Sequence, residues 1–201
     1  MVFNDVNSLI SSLHPISPSA IMSLKARCEV EVAKYLSLFE IPSLSTQELQ
    51  TLTAGTYLLI DVRTPEEILV SRIPGSITQA EFSLFSPDDL NDKTLITTCT
   101  VGYRSGVQAT LLRKQFPSPS TKIYNHEGIV PYTHACEKSE LMLVKPNGKP
   151  TTTVHTYGSQ WAYIDETRFE AVHFPQPLEF WKTLRHVLPS LTMYFFARMK
   201  K

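Results

Sequence analysis

Tyr57-Leu58-Leu59-Ile60-Asp61-Val62 is a near-continuous apolar run, and no other feature narrows the fold of this chain as much. A strand with one wet face alternates apolar and polar residues. A run this uniform marks a strand buried on both faces, as in a parallel sheet covered by helices. Thr94-Leu95-Ile96-Thr97-Thr98 reads as a second such strand and Lys122-Ile123-Tyr124-Asn125 as a third. Helix signals fall between them. Ser45-Thr46-Gln47-Glu48 and Thr64-Pro65-Glu66-Glu67 are capping boxes, the latter with proline at the first helical position. Ser105–Phe116 carries apolar Val107, Leu111 and Leu112 and stops before Pro117. Gly128 breaks the third strand ahead of another short helical segment. Strand–helix alternation at this spacing predicts an α/β fold with a central parallel sheet flanked by helices.

The flanks have a different rhythm. Residues 19–39 read as an amphipathic helix, with Ile21, Leu24, Cys28, Val32, Tyr35, Leu36 and Phe39 at three- and four-residue steps. Cys28 lies in that apolar stripe and is expected to be a buried core thiol. Lys145-Pro146-Asn147-Gly148-Lys149-Pro150 is a turn by composition. Beyond it, Tyr157, Trp161, Tyr163, Phe169, Phe174, Phe180 and Trp181 make an aromatic-rich tail, ending in an expected helix over Leu184–Met199. The chain therefore divides into an N-terminal helical extension (1–43), an α/β unit (44–140) and a C-terminal extension (141–201) that packs its rings on the body. A docking or membrane-surface role for the tail carries less weight.

Composition removes several function classes. Lys+Arg 19 against Asp+Glu 19 gives no net charge in 201 residues, which argues against a nucleic-acid binder. Three cysteines, at 28, 99 and 136, do not make a disulfide framework. The N-terminus lacks the basic and apolar regions of a secretory signal. Val187–Ala197, the most apolar stretch, is well short of the ~20 residues of a membrane-spanning helix. A cytosolic compartment fits best, with a trimmed organellar form as the alternative. The six histidines show no zinc-ligand spacing, and nothing calls for a metal or cofactor. His126 reads as a satisfied structural histidine, and Cys136 as an incidental thiol.

The chemistry concentrates in Thr98-Cys99-Thr100-Val101-Gly102-Tyr103-Arg104-Ser105. A cysteine ends a buried strand, a short loop follows and a helix begins at once. The carboxyl edge of a parallel sheet is where such folds hold ligands. Loop amides curling around the sulfur, with the positive end of the helix, favour a thiolate. Gly102 permits a tight cradle. Arg104 can hold an anion with its planar fork, and Ser105 can donate a hydrogen bond into the loop or cap the helix. Tyr103 stands where it could line the mouth of a pocket.

Cys99-Thr-Val-Gly102-Tyr-Arg104-Ser105 resembles the Cys-x-x-Gly-x-Arg-Ser loop of single-domain rhodaneses. Tyr57-Leu-Leu-Ile-Asp61-Val62-Arg63-Thr64-Pro65-Glu66-Glu67 is similar to the family's apolar strand running into Asp-Val-Arg-x-Pro-x-Glu. Ile73-Pro74-Gly75-Ser76-Ile77 and Ile123-Tyr124-Asn125-His126-Glu127-Gly128 resemble two further family motifs, in the expected order. The resemblance spans about 44–137. Departures are Arg72 in place of a histidine, Thr133 near the place of a tryptophan, and Pro131, expected to interrupt the helix after Gly128.

The resemblance implies a rhodanese-like three-layer fold and sulfurtransferase activity. Cys99 would take the outer sulfur of a small anionic donor such as thiosulfate and pass it from a persulfide to an acceptor. That acceptor would be cyanide or a thiol, including a thioredoxin-like or other protein thiol. Arg104 would orient the donor, with Thr100, Val101, Gly102, Tyr103 and Ser105 completing the substrate loop. Asp61 and Arg63 would tie strand to helix beside it. Two rival readings stand next to this one. A phosphatase or arsenate reductase of the cell-cycle phosphatase type would need five residues between cysteine and arginine, and here only four intervene. A regulatory or protein-binding module with little turnover is the alternative from another class.

Overall fold

The apolar runs form the middle of a five-stranded parallel sheet in the computed structural model, which describes residues 22–135 and 142–173. In chain order its strands are β1 (Ser43–Leu44), β2 (Tyr57–Asp61), β3 (Ile77–Thr78), β4 (Thr94–Thr98) and β5 (Ile123–His126). They lie in the order β1-β5-β4-β2-β3, and every pairing is parallel. The helices are α1 (Leu24–Leu36), α2 (Thr46–Thr51), α3 (Pro65–Val70), α4 (Gln79–Phe82), α5 (Tyr103–Gln115) and α6 (Ile129–Ala135).

Successive side chains of a strand point to opposite faces, and here both faces are buried. Leu59 and Ile96 join Cys28, Val32, Leu49, Ile129 and Val130 in one core, under α1, α2 and α6. Ile60 and Leu95 join Ala109 and Leu112 of α5 in the other. This is the three-layer arrangement that the apolar runs predict.

Local signals hold where they are strong. Both predicted capping boxes are present, at Ser45/Glu48 and Thr64/Glu67, with Pro65 opening α3. A third box, Thr78/Glu81, opens α4. The strands β1 and β3 are two residues long, too short to display a period in sequence. The helix expected over 19–39 is the shorter α1. Ser23 caps it by accepting from the Ala26 N–H at 3.2 Å, and Ser37 closes it.

Pro131 does not interrupt its helix, contrary to expectation. It is the third residue of α6, where a helix has no internal N–H bond to lose. Thr133, at the place of a tryptophan, is buried and accepts a hydrogen bond from the Asp165 N–H at 3.0 Å. It thereby ties the C-terminal extension to α6.

That extension begins with an antiparallel pair, β6 (Leu143–Val144) and β7 (Pro150–Thr151), around the predicted turn. A parallel pair follows, β8 (Thr153–His155) and β9 (Glu170–Val172). Leu143, Val154, Ile164 and Phe169 are buried in the same core as α1 and α6. Among the described residues no helix is long and apolar enough to cross a membrane. Cys136, Phe174, Phe180, Trp181 and the helix expected over Leu184–Met199 lie outside the described residues.

Candidate active site

Cys99 directly follows β4 and is 1% exposed. Its loop is held by its carbonyls. The first N–H groups of α6 donate to it, Ile129 to the Cys99 oxygen at 2.9 Å and Val130 to the Thr100 oxygen at 3.1 Å. These are donors that a helix start leaves unsatisfied. The Gly102 oxygen accepts from Asn125 Nδ2 at 2.9 Å and from the Gly106 N–H at 3.1 Å. No peptide bond among the described residues is cis, so each N–H points opposite to its carbonyl. Anchoring the carbonyls of Cys99, Thr100 and Gly102 therefore turns the N–H groups of Thr100, Val101 and Tyr103 away from the anchoring elements. Ser105 Oγ donates to Cys99 Sγ at 3.2 Å.

Glycine is required at two places around the loop. Gly102 has φ +90°, the left-handed conformation from which α5 departs. Gly128 has φ +118°, and a Cβ there would lie 2.4 Å from the Thr100 carbonyl oxygen. Gly128→Ala is expected to cost about 2 kcal/mol or more in strain and to displace the loop. Thermal melting reads the first effect, and the rate of Cys99 alkylation by iodoacetamide reads the second. A variant unchanged in both would show that the loop does not depend on this close approach.

Two buried ion pairs lie beside the loop. Arg63 Nε and Nη2 donate to Asp61 at 2.9 and 2.7 Å, and Nη2 also reaches the Ser71 carbonyl at 2.6 Å. This ties the end of β2 to the residue after α3. The second pair involves Arg104, expected to meet a donor anion. It is bound to Glu67, through Nη1 to Oε2 at 2.7 Å and Nη2 to Oε1 at 2.8 Å. Arg104 Nη2 also donates to Thr100 Oγ1 at 2.8 Å, bracing the loop. Its side chain is 17% exposed and that of Glu67 is fully buried. Burial alone would raise the Glu67 pKa. The charge and hydrogen bonds of Arg104, with His155 and Arg63 adding, hold it well below the usual carboxylate range.

Other titratable groups nearby have structural surroundings. His126 is buried, with Nδ1 accepting from the Gly128 N–H at 3.1 Å and Nε2 3.2 Å from Thr46 Oγ1. Burial pushes its pKa down to about 3, so it is a neutral, satisfied histidine. Burial, with Glu127 and Glu29 adding, pushes the Cys28 thiol up to about 12. Cys28 is therefore a core thiol, as its place on the helix stripe predicts. Among the described residues no group of three His, Cys, Asp or Glu side chains could hold a metal ion.

The two extensions meet over Cys99, which the sequence did not disclose. His155 Nδ1, at the end of β8, lies 3.3 Å from Glu67 Oε1. Tyr157 stacks on the Arg104 guanidinium at 5.0 Å. Trp161 donates from Nε1 to the Tyr35 hydroxyl of α1 at 3.1 Å. A pocket of about 320 Å³ opens between these rings and the loop, with Cys99, Tyr103 and Arg104 in its lining. Glu67 was legible as a helix cap and as the glutamate of the strand motif but not as a partner of Arg104, Tyr35 only as part of an apolar stripe, and Tyr157 and Trp161 only as members of an aromatic tail.

Three solved structures illustrate the similarity. One is a protein of unknown function from Rhodopseudomonas palustris, described as a possible tyrosine phosphatase. It is 23% identical, with 54% of this chain and 86% of that one covered, at a TM-score of 0.36. A rhodanese-related protein from Thermoplasma volcanium is 22% identical over 43% of this chain and 84% of that one, at 0.34. A thiosulfate sulfurtransferase from Pseudomonas aeruginosa is 23% identical over 63% of this chain but 23% of that one, at 0.40. No curated protein matches the chain. Residues 45–130 match the family model of the Rhodanese-like domain. Those residues run from the first capping box, through β2 to β5 and the Cys99 loop, into α6, and the chain thus contains a rhodanese-like domain.

Proposed function

We propose that this protein is a sulfurtransferase working through a persulfide on Cys99. The Cys99 thiolate attacks the outer sulfur of a small anionic donor of the thiosulfate type. The donor's S–S bond breaks and sulfite leaves with the bonding electron pair. A thiolate or cyanide then attacks the outer sulfur of the persulfide, and Cys99 departs as a thiolate. The N–H groups of Thr100, Val101 and Tyr103 stabilise the persulfide charge, and Arg104 shapes the loop through Thr100 and Glu67. The supporting observation is the hydrogen bond from Ser105 Oγ to Cys99 Sγ at 3.2 Å, within a loop whose carbonyls are anchored outward. A cytosolic, reducing setting, which keeps Cys99 free, belongs to the same proposal.

The loop length supports sulfur transfer over phosphate chemistry. With four residues between Cys99 and Arg104, the ring of amides suits one sulfur atom better than a tetrahedral oxyanion. The binding-module reading is favoured by one observation, the 1% exposure of Cys99. Mass spectrometry after thiosulfate treatment separates the two. One added sulfur on the Cys99 peptide, released by cyanide as thiocyanate, is the expected result. No added sulfur with thiosulfate or with an organic persulfide donor would leave the binding module as the reading.

A further inference from the structure

Four aromatic rings, from three separate parts of the chain, line the pocket over Cys99: Tyr35 of α1, Tyr103 of the loop, and Tyr157 and Trp161 of the C-terminal extension. They form a connected wall. Tyr35 and Tyr103 meet edge-on at 6.0 Å, Tyr157 and Trp161 at 5.3 Å, and the Trp161–Tyr35 hydrogen bond joins the two pairs. Tyr157 holds its place in the left-handed region, at φ +67°, where a bulky side chain is an outlier.

Charge decides what such a wall can take. A ring of aromatics could hold a cation over its faces. Here resident cations already use two of them: Lys34 lies 5.8 Å from the centre of Tyr35, and Arg104 lies 5.0 Å from that of Tyr157. A cationic ligand would find those two ring faces already taken. Arg104 is in turn neutralised by Glu67, so the wall offers little net charge to a polyanion either. A neutral, flat apolar group is what remains. Size agrees: roughly 150 Å³ suffices for a benzene ring, and about 320 Å³ leaves room for a short arm reaching Cys99. Cys99 is 1% exposed and lines this pocket, so an acceptor approaches its sulfur past the four rings.

We infer that the acceptor of the Cys99 sulfur is a small-molecule thiol bearing a neutral aromatic group, which stacks among Tyr35, Tyr103, Tyr157 and Trp161. This rests on the persulfide reading of Cys99. The acceptor thiolate attacks the outer sulfur of Cys99–S–S⁻. A new S–S bond forms on the acceptor, the bond to Cys99 breaks, and the thiolate charge returns to Cys99, with no external oxidant or reductant.

The test uses the full chain, loaded with thiosulfate, and compares acceptors by kcat/KM: benzyl mercaptan, 2-mercaptoethanol and reduced thioredoxin. Benzyl mercaptan is expected to exceed 2-mercaptoethanol by about tenfold or more. In Trp161→Ala that ratio should fall to within about threefold. Calorimetry with benzyl methyl sulfide, which has no thiol, reads pocket binding in the unmodified protein, without turnover or mutation. Equal rates with the two small thiols together with no binding of benzyl methyl sulfide would overturn the inference. So would tighter binding of phenyltrimethylammonium, or a faster reaction with thioredoxin. Binding of benzyl methyl sulfide to a protein whose Cys99 never gains sulfur would sink the sulfurtransferase reading alone and leave the aromatic site standing.

Discussion

Cys99→Ser is expected to lower sulfur transfer from thiosulfate to cyanide by about 10³-fold or more while leaving the fold in place. The proposed intermediate is a sulfur–sulfur bond, and a serine oxygen in the same position cannot form one. The substitution is close to isosteric, and Ser105 Oγ remains beside the new hydroxyl as a partner for an otherwise buried polar group. The loop anchors are main-chain carbonyls, which the change does not touch. Loss of activity without loss of melting temperature therefore isolates the chemistry. Cys28→Ala is the control. Cys28 sits in the α1 core with its thiol held protonated at neutral pH, and its removal should change the transfer rate by less than about twofold. Thiocyanate formation measures both variants. Activity retained by Cys99→Ser would end the persulfide proposal.

Glu67→Ala should produce the largest loss of stability. It strands the Arg104 guanidinium beside the loop without its counter-charge and leaves the Thr64 N–H at the start of α3 uncapped. Removing one partner of a buried pair costs about 3–5 kcal/mol, and a lost cap about 1 kcal/mol more. For a chain of this size that is a fall in melting temperature of roughly 10–20 °C. The same carboxylate sets an acid limit. Its folded pKa is depressed, so its contribution is complete above the ordinary value of 4.5 and is lost as pH falls through the folded value. The unmodified protein should therefore lose stability below about pH 4.5 along a steeper course than Glu67→Gln, which has no proton to take up. Urea midpoints measured from pH 3 to 7 for both proteins check this. Parallel curves would show that another carboxylate sets the acid limit.

Much of the fold was written in short stretches of residues. The runs at Tyr57–Ile60 and Thr94–Thr98 had to be two-sided strands, because adjacent residues of one strand face opposite layers and none of them is charged. The capping boxes at Ser45 and Thr64 were legible because a cap is a contact between residues three apart. The strands β1 and β3 were not, since two residues display no period and their pairing partners are distant in the chain. Pro131 misled for a related reason. Proline breaks a helix only past its first turn, and the start of α6 is set by the Cys99 loop that its N–H groups anchor.

The candidate site divides along the same line. Cys99, Gly102, Arg104 and Ser105 lie within seven residues, so local spacing alone brought them together and marked the loop. Sequence also determined that Cys28 would be inert, from its place on a helix stripe. Only the tertiary structure showed what Arg104 is paired with, because its partner Glu67 is 37 positions away and nothing local links the two. Only the tertiary structure set Tyr35 against Trp161, 126 positions apart, and so gave the reactive loop an aromatic wall drawn from both extensions. A side chain's local role is carried by neighbours within a turn or a strand. Its charge balance and its company in a pocket depend on long-range packing, for which composition and period hold no address.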